Sequence, residues 1–580
     1  MTVVIVQGVF TIPTLPSLLA GDLVDTDTYM HLVRAEELWR GESFFDPVIE
    51  RSNVPYGETQ HWTRLYDLIL IAVAVPFSPL GVDSALNIAA LAIGPIMLIL
   101  LLVALEWATR PLRGSSDWPL VVIVGVSQAA VLAYAAVGRA DHHVLIFLLM
   151  TIAIGLLVRM LSDPRRSARE VWFGLTLAAG LWVSTEFEVV IGVCLISLIA
   201  AWVTHGRQFA ALLERASFSW LVGVGLALLL ERGPAWQTVE YDRISVVHLA
   251  LAGAAFVTMA GASRIVPRAG MLGRAAAIAA IGLATAVAVW MAFPNVLGGP
   301  WAEIDPLISE IWLERVAELQ PMLPTSINGV GVAILYLGAP VLGFLVGLSA
   351  LTRAKSGWGL PALPVLLGGA VFLILALRYS RFAPHAEILG VFPLLWGIDS
   401  VLNNAEIRPK VIRSLTRVGV IGAAAAGFLI VGSAISGYGT EDAVPSSGES
   451  CSVRELADFL NEPSPGNTQL TILANIDFGS ELLYRTDHRV IGTPIRQQDA
   501  ILDTYTALTT SEPGEARDII TRRHVDRVLL CPSHDDYMFG DPPPTGSLDD
   551  RLLKGEIPYW LRPVDLPAHL SGFRMFAVQA

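Results

Sequence analysis

Charge is scarce in this sequence. Of its 580 residues only 16% are Asp, Glu, Lys or Arg, and 53% are hydrophobic; a soluble protein carries about 25% charged residues. So little charge excludes an ordinary soluble globular chain. The apolar residues fall in runs of ~17–25, the length that crosses ~30 Å of hydrocarbon, so the chain reads as a polytopic α-helical membrane protein. The net charge of −13 and the absence of a concentrated basic face offer nothing to nucleic acid. Cysteine is equally sparse, with Cys194 in an apolar run and Cys451 and Cys531 in the tail. The plain reading is three unpaired thiols; export of the tail would permit a Cys451–Cys531 bridge. The tail also lacks a glycine-rich phosphate loop.

Thirteen spans are predicted, near 3–21, 84–107, 118–138, 143–161, 171–185, 189–204, 217–231, 246–262, 275–293, 328–350, 359–377, 383–402 and 412–436. The stretch 66–82 is apolar enough to be a fourteenth, but basic residues argue otherwise. With 66–82 lying along the interface, Arg110/Arg113, Arg165/Arg166/Arg169, Arg207/Arg215, Arg264/Arg268/Arg274, Arg353/Lys355 and Arg408/Lys410/Arg413/Arg417 all face the cytoplasm, as the positive-inside rule requires. Pro76 and Pro79 also weaken 66–82 as a span. The N-terminus is then inside and the C-terminus outside. Span 3–21, with Pro13 and Pro16 and no basic flank, could instead be a signal-like segment.

Two long outer loops follow from this topology, 22–83 and 294–327, and the chain divides into a membrane domain, 1–436, and an extracytoplasmic α/β domain, 437–580. In the latter, strand-like runs (QLTILAN, HRVIGT, DRVLLC) alternate with helical ones (SVRELADFL, AILDTYTAL, GEARDIITRR), the pattern of helices packed on a small sheet.

Carboxylates beside membrane spans are expensive, costing ~2.5–3.5 kcal/mol at the bilayer centre. Three acidic patches nevertheless fall on the outer side: DTDTYMHL with Asp25 and Asp27, GRADHH with Asp141 and His143, and RVAELQP with Glu318. Each has a bland reading. Asp25 and Asp27 could cap a helix, Asp141 could cap the next span, His143 could be interfacial, and Glu318 shares its loop with Glu303, Asp305, Glu310 and Glu314. Their convergence on one face, with Arg378 and Arg381 at the outer end of a later span, points to a hard-cation site of Asp25, Asp27, Asp141, His143 and Glu318. The arginine fork would sit beside it for a phosphate. Glu186 and Glu188 are further acids at an outer span end.

Taken together, these patterns resemble the catalytic subunits of oligosaccharyltransferases, membrane glycosyltransferases of the GT-C fold, over essentially the whole chain. Asp27-Thr-Tyr29-Met-His31 is similar to the family's D-x-Y-x-(H/N) context, Asp141-His-His143 to its D-x-D/E/H motif, and Glu318 to its loop glutamate; Arg381 is similar to its phosphate-contacting arginine. In the tail, Asn475-Ile476-Asp477-Phe478-Gly479 resembles W-W-D-Y-G with both tryptophans missing. The resemblance implies thirteen spans, an exported tail and a divalent metal, Mg²⁺ or Mn²⁺. It implies a polyprenyl phosphate or pyrophosphate sugar donor, with Asp27, Asp141 and Glu318 as catalytic residues, Arg378 and Arg381 on the donor phosphate, and Asp477 and Phe478 on the acceptor side. A location in the bacterial inner membrane with a periplasmic tail follows from the same reading. The degenerate motif favours a lipid or polysaccharide acceptor over a protein asparagine. The rival classes are a protein N-oligosaccharyltransferase, a secondary transporter and a non-catalytic assembly subunit. A transporter would place ionisable residues mid-span, whereas these spans are nearly free of charge.

Overall fold

In the computed structural model the described residues are 7–8, 11–12, 14–113, 117–165, 168–302, 304–352, 358–405, 419, 422–437, 451–462, 469–495, 498–532 and 543–579. Among them, eight helices are long and apolar enough to cross a membrane: Val82–Arg113, His143–Ser162, Thr185–His205, Arg207–Ala235, Val246–Ile265, Met271–Ala292, Ile327–Leu351 and Leu360–Arg378. A further long helix, Ala383–Ala405, lies over the predicted span 383–402. Predicted span 171–185 is a 15-residue helix, Arg169–Val183. Predicted spans 3–21 and 412–436 lie partly outside the described residues, as do Arg166, Glu303, Arg353, Lys355, Arg408, Lys410, Arg413 and Arg417. The doubtful stretch 66–82 forms the 11-residue helix Arg64–Ala74 and a 3₁₀ segment, Val75–Leu80.

The predicted span 118–138 is broken into Trp118–Gly125 and Ala129–Tyr134. The freed backbone groups are satisfied from two sides. Ser127 Oγ and Gln128 Nε2 donate to the Val124 carbonyl at 2.8 and 2.7 Å. The buried Glu387 carboxylate accepts from the Ala130 and Val131 amides at 3.1 and 2.9 Å. A broken helix at membrane depth survives only where protein re-pairs its backbone in this way. Residues 135–142 follow the break and lead into the helix His143–Ser162.

The tail folds around a five-stranded sheet. Its strands are β3 (Thr471–Leu473), β4 (Arg489–Val490), β5 (Arg527–Leu530), β6 (Leu561–Val564) and β7 (Arg574–Val578), in the order β4-β3-β5-β7-β6; a separate two-stranded ribbon of β1 (Val48–Ile49) and β2 (Glu58–Thr59) lies in the segment 22–83. β3 pairs in parallel with β4 and β5, while β7 is antiparallel to both β5 and β6. The three predicted strands are β3, β4 and β5; the two C-terminal strands were not anticipated. Cys451 and Cys531 form a disulfide with a Cα–Cα distance of 6.1 Å.

The sheet domain is fastened to the segment 21–53. Arg51 donates to the carbonyls of Leu483 and Thr486 at 2.9 and 2.8 Å, Val490 N donates to Arg51 O at 2.9 Å, and Arg485 Nη2 reaches Gly21 O at 2.8 Å and Tyr29 Oη at 3.0 Å. Arg523 Nη1 donates to Asn53 Oδ1 at 2.7 Å. The helix Ile476–Arg485 comes so close to the following loop that a Cβ at Gly479 would meet the Gly492 carbonyl oxygen at 2.1 Å. Only glycine fits that approach.

Candidate functional site

The helix Thr26–Arg40 starts on Asp25, whose Oδ1 accepts from Thr28 N at 2.8 Å and Thr28 Oγ1 at 2.5 Å. This is the capping role a carboxylate at that position provides. It leaves Oδ2 free to pair with Arg139 Nε at 2.8 Å. Arg139 is the centre of the cluster: its Nη2 also lies 3.2 Å from Asp141 Oδ2 and 2.8 Å from Glu318 Oε1, and its plane stacks over Tyr134 at 4.2 Å. Burial alone would lower the Arg139 pKa, but Asp141, Asp25 and Glu318 raise it above the ordinary value, so it is permanently charged.

A second chain of contacts runs from Asp141 to Arg381. Asp141 Oδ1 lies 2.5 Å from His143 Nδ1, His143 Nε2 lies 3.1 Å from Arg381 Nη2, and Arg381 pairs with Glu186 at 2.6 Å and faces Glu318 at 3.9 Å. Burial would raise the Asp141 pKa; His143, Arg139 and His142 outweigh it and hold the carboxyl well below its usual range. On its other flank, His142 touches Asp141 at 3.3 Å and His31 at 3.3 Å. His31 leans on the buried Asp67 at 3.4 Å, where Arg34 binds at 2.7 Å.

Asp27 differs from these. Among the described residues its carboxylate has no hydrogen-bond or ion-pair partner, and burial, followed by the charges of Asp25, Asp141 and Glu318, raises its pKa well above the ordinary carboxylate value. It lines a cavity of about 540 Å³ together with His142, His143, Glu318, Arg381 and Asp477. Ligand atoms of Asp141, His142 and His143 lie within 4.8 Å of one another. Surplus carboxylate charge at an unpartnered Asp27 beside this triplet fits a divalent cation. Asp25, by contrast, is committed to its helix cap and to Arg139.

The remaining sequence candidates separate. Asp477, in the first turn of the Ile476–Arg485 helix, reaches the cavity wall. Phe478 packs in the tail core against Phe573, ring centroids 6.0 Å apart. Arg378 lies over the Tyr379 ring at 4.7 Å and lines a different depression, with Glu314 and Gln320. Glu188 faces His248 at 3.5 Å, whereas Glu186 belongs to the site. Sequence reasoning passed over Arg139 although it stands in GRADHH; an arginine two residues from an aspartate, in a short loop between apolar runs, was the available signal.

A second cavity, about 530 Å³, lies across the 317–320 segment from the first and shares Glu318 with it. Its walls are mostly apolar, with Ala130, Met322, Leu323, Val332, Tyr336 and Pro384. Glu318 therefore stands between a polar chamber and a greasy one.

No protein-family model matches the sequence, and no curated protein matches it either. Solved structures do match. The oligosaccharyltransferase AglB of the archaeon Archaeoglobus fulgidus, in complex with an inhibitory peptide and a dolichol-phosphate, superposes with a TM-score of 0.66 at 15% identity, over 88% of this chain and 66% of that one. The Archaeoglobus fulgidus enzyme tethered to an acceptor peptide containing the NVT sequon matches with a TM-score of 0.62 at 14% identity, over 87% and 65%. Its complex with Zn and sulfate matches at 0.61 and 14%, over 88% and 64%. The chain shares its fold with this archaeal enzyme. The chain spans about two thirds of the length of these matched structures.

Proposed function

We propose that this protein is a metal-dependent glycosyltransferase that moves a sugar or glycan from a polyprenyl phosphate or pyrophosphate donor to an acceptor at the outer face of the membrane, with a lipid or polysaccharide acceptor favoured. The observation that carries this reading is the position of Glu318 between an apolar and a polar cavity, beside Arg381 and the Asp141–His143 pair. An apolar groove suits a polyprenyl tail, and a fixed arginine across Glu318, in the polar cavity, suits the phosphate. The archaeal neighbour's dolichol-phosphate and the sulfate of its Zn complex support the same assignment.

Asp27, Asp141 and His143 would hold the cation, with His142 adjoining them, and imidazole nitrogens beside carboxylates favour Mn²⁺ or a similar transition ion over Mg²⁺. When bound, the metal supplies charge neutralisation for the departing phosphate. Arg381 shares that task from its place beside His143, and its own charge is assured: burial would lower its pKa, but Glu186 and Glu318 raise it. Glu318 accepts the proton of the acceptor hydroxyl as that oxygen bonds to the anomeric carbon; the carbon–oxygen bond to phosphate breaks and the polyprenyl phosphate leaves with its electron pair. The Arg139 ion pair aims the Glu318 carboxylate before the acceptor arrives. We further assign 437–580 as an exported domain, in keeping with its disulfide.

Protein N-glycosylation is the second reading, favoured by the peptide-bound neighbour. Against it, Asn475 Oδ1 is engaged by Asp477 N at 3.0 Å, and Ile476 is fully buried. The test is turnover of extracted polyprenyl-linked glycans by purified protein with Mn²⁺ or EDTA, and with an Asn-Val-Thr peptide added. Manganese-dependent release of polyprenyl phosphate is expected, without peptide labelling. Absence of any donor turnover would sink the transferase reading.

A further inference from the structure

The polar cavity is walled by tryptophan. Trp62 from the first outer loop, Trp182 from the end of a span, and Trp301 and Trp312 from the 294–327 loop all line it. Three of these rings are fixed from behind. Trp62 stacks on His31 with centroids 4.3 Å apart, Trp182 Nε1 donates to Glu231 Oε2 at 2.8 Å, and Trp312 packs in a cluster with Ile308, Ile311, Ile476 and Ile501. Trp301 is 40% exposed. Asp242 and Asp477 line the same chamber.

A chamber lined by tryptophans and aspartates suits one class of small molecule. A pyranose or furanose ring presents a face of C–H bonds, which lies on an aromatic plane, and a rim of hydroxyls, which donate to carboxylates. The tail contributes to this wall indirectly. Ile476, at a position where the resembling family has a tryptophan, is fully buried in the same apolar cluster as Trp312. The aromatic surface is thereby supplied by the 294–327 loop, while the Asn475 side chain is spent on its own helix cap.

We infer that the acceptor is a carbohydrate, held in the polar cavity by Trp301 and Trp312 and presenting a ring hydroxyl toward Glu318. The inference rests on the transferase reading for its chemistry, but sugar binding in the cavity needs neither donor nor metal and is measured separately.

The experiment uses the full-length protein in nanodiscs, without donor and with EDTA. Saturation-transfer NMR is recorded with mannobiose, galactobiose and cellobiose as probes and with an Asn-Val-Thr peptide as the competing class. Ring-proton signals from at least one disaccharide are expected, with none from the peptide. Trp301→Ala, on an exposed ring, and Trp312→Leu, which keeps apolar volume behind Ile476, each weaken that binding by about tenfold. Failure of all three disaccharides to bind overturns the inference, as does binding that survives both substitutions or a peptide that binds in their place. Disaccharide binding in a protein that turns over no donor would instead remove the transferase reading and leave the sugar site standing.

Discussion

Arg139 Nη2 lies 2.8 Å from Glu318 Oε1, and through that pair the GRADHH loop grips the 294–327 loop. The same guanidinium holds Asp25 and Asp141. One side chain thus ties together three segments that meet only in the folded protein. A planar fork with five donors suits this task, and a lysine's single ammonium cannot replace it.

Arg139→Gln and Arg139→Lys are both expected to lower transfer by about 100-fold or more, since the carboxylate they release is the one that must be aimed. Limited proteolysis should show faster cleavage within 294–327 in both variants. Wild-type turnover in the lysine variant would show that Arg139 supplies charge and no geometry.

Asp27→Asn and Asp141→Asn should each abolish transfer, but their stabilities should part. The folded protein raises the Asp27 pKa, so its contribution is stabilising below the ordinary value of about 3.9 and is lost as pH rises through the raised one. At neutral pH, without metal, wild type bears that penalty and Asp27→Asn does not. Thermal unfolding in EDTA should find the variant melting higher than wild type at pH 7.5, with the gap closing as pH falls.

Asp67 should behave in the opposite sense. Burial would raise its pKa, but Arg34, His31 and Arg64 outweigh burial and lower it. Its stabilisation is present above about pH 3.9 and is lost as pH drops through the depressed value. Asp67→Asn leaves Arg34 buried against a neutral partner and is expected to cost about 3–5 kcal/mol, read as a lower melting temperature at pH 7. An unchanged melting temperature would remove Asp67 as the anchor behind His31 and His142.

Topology can be checked without any chemistry. A reporter active only outside the cytoplasm should work when fused after Gly437 and fail when fused after Arg166. The reverse pair would place the acidic cluster on the cytoplasmic side and leave no route for an exported acceptor.

Much of the fold was written locally. Apolar runs of membrane length mark spans such as 84–107 and 328–350 because hydrocarbon admits little else. Pro76, Pro79 and the distribution of arginines set 66–82 apart, and the regular α-helix there gives way to a 3₁₀ segment at Val75. Asp27, Asp141, His143, Glu318, Arg381 and Asp477 could be singled out as candidates, because acids and arginines stand out against apolar flanks. What the sequence could not show is which of them meet. The break after Gly125 depends on Glu387, 256 residues beyond the Val131 amide it pairs with, and no periodicity in 118–138 announces a distant cap. Arg378 and Arg381 sit three residues apart, yet the turn at Tyr379 sends one over a tyrosine ring and the other into the site. Phe478 and Asp477 are neighbours, and the helix they begin buries the first while leaving the second on the cavity wall. Local composition decided which segments enter the membrane, because the cost of burying charge is paid residue by residue. Only the tertiary structure decided that Arg139 would lie among three carboxylates, because an ion pair depends on where separate segments come to rest.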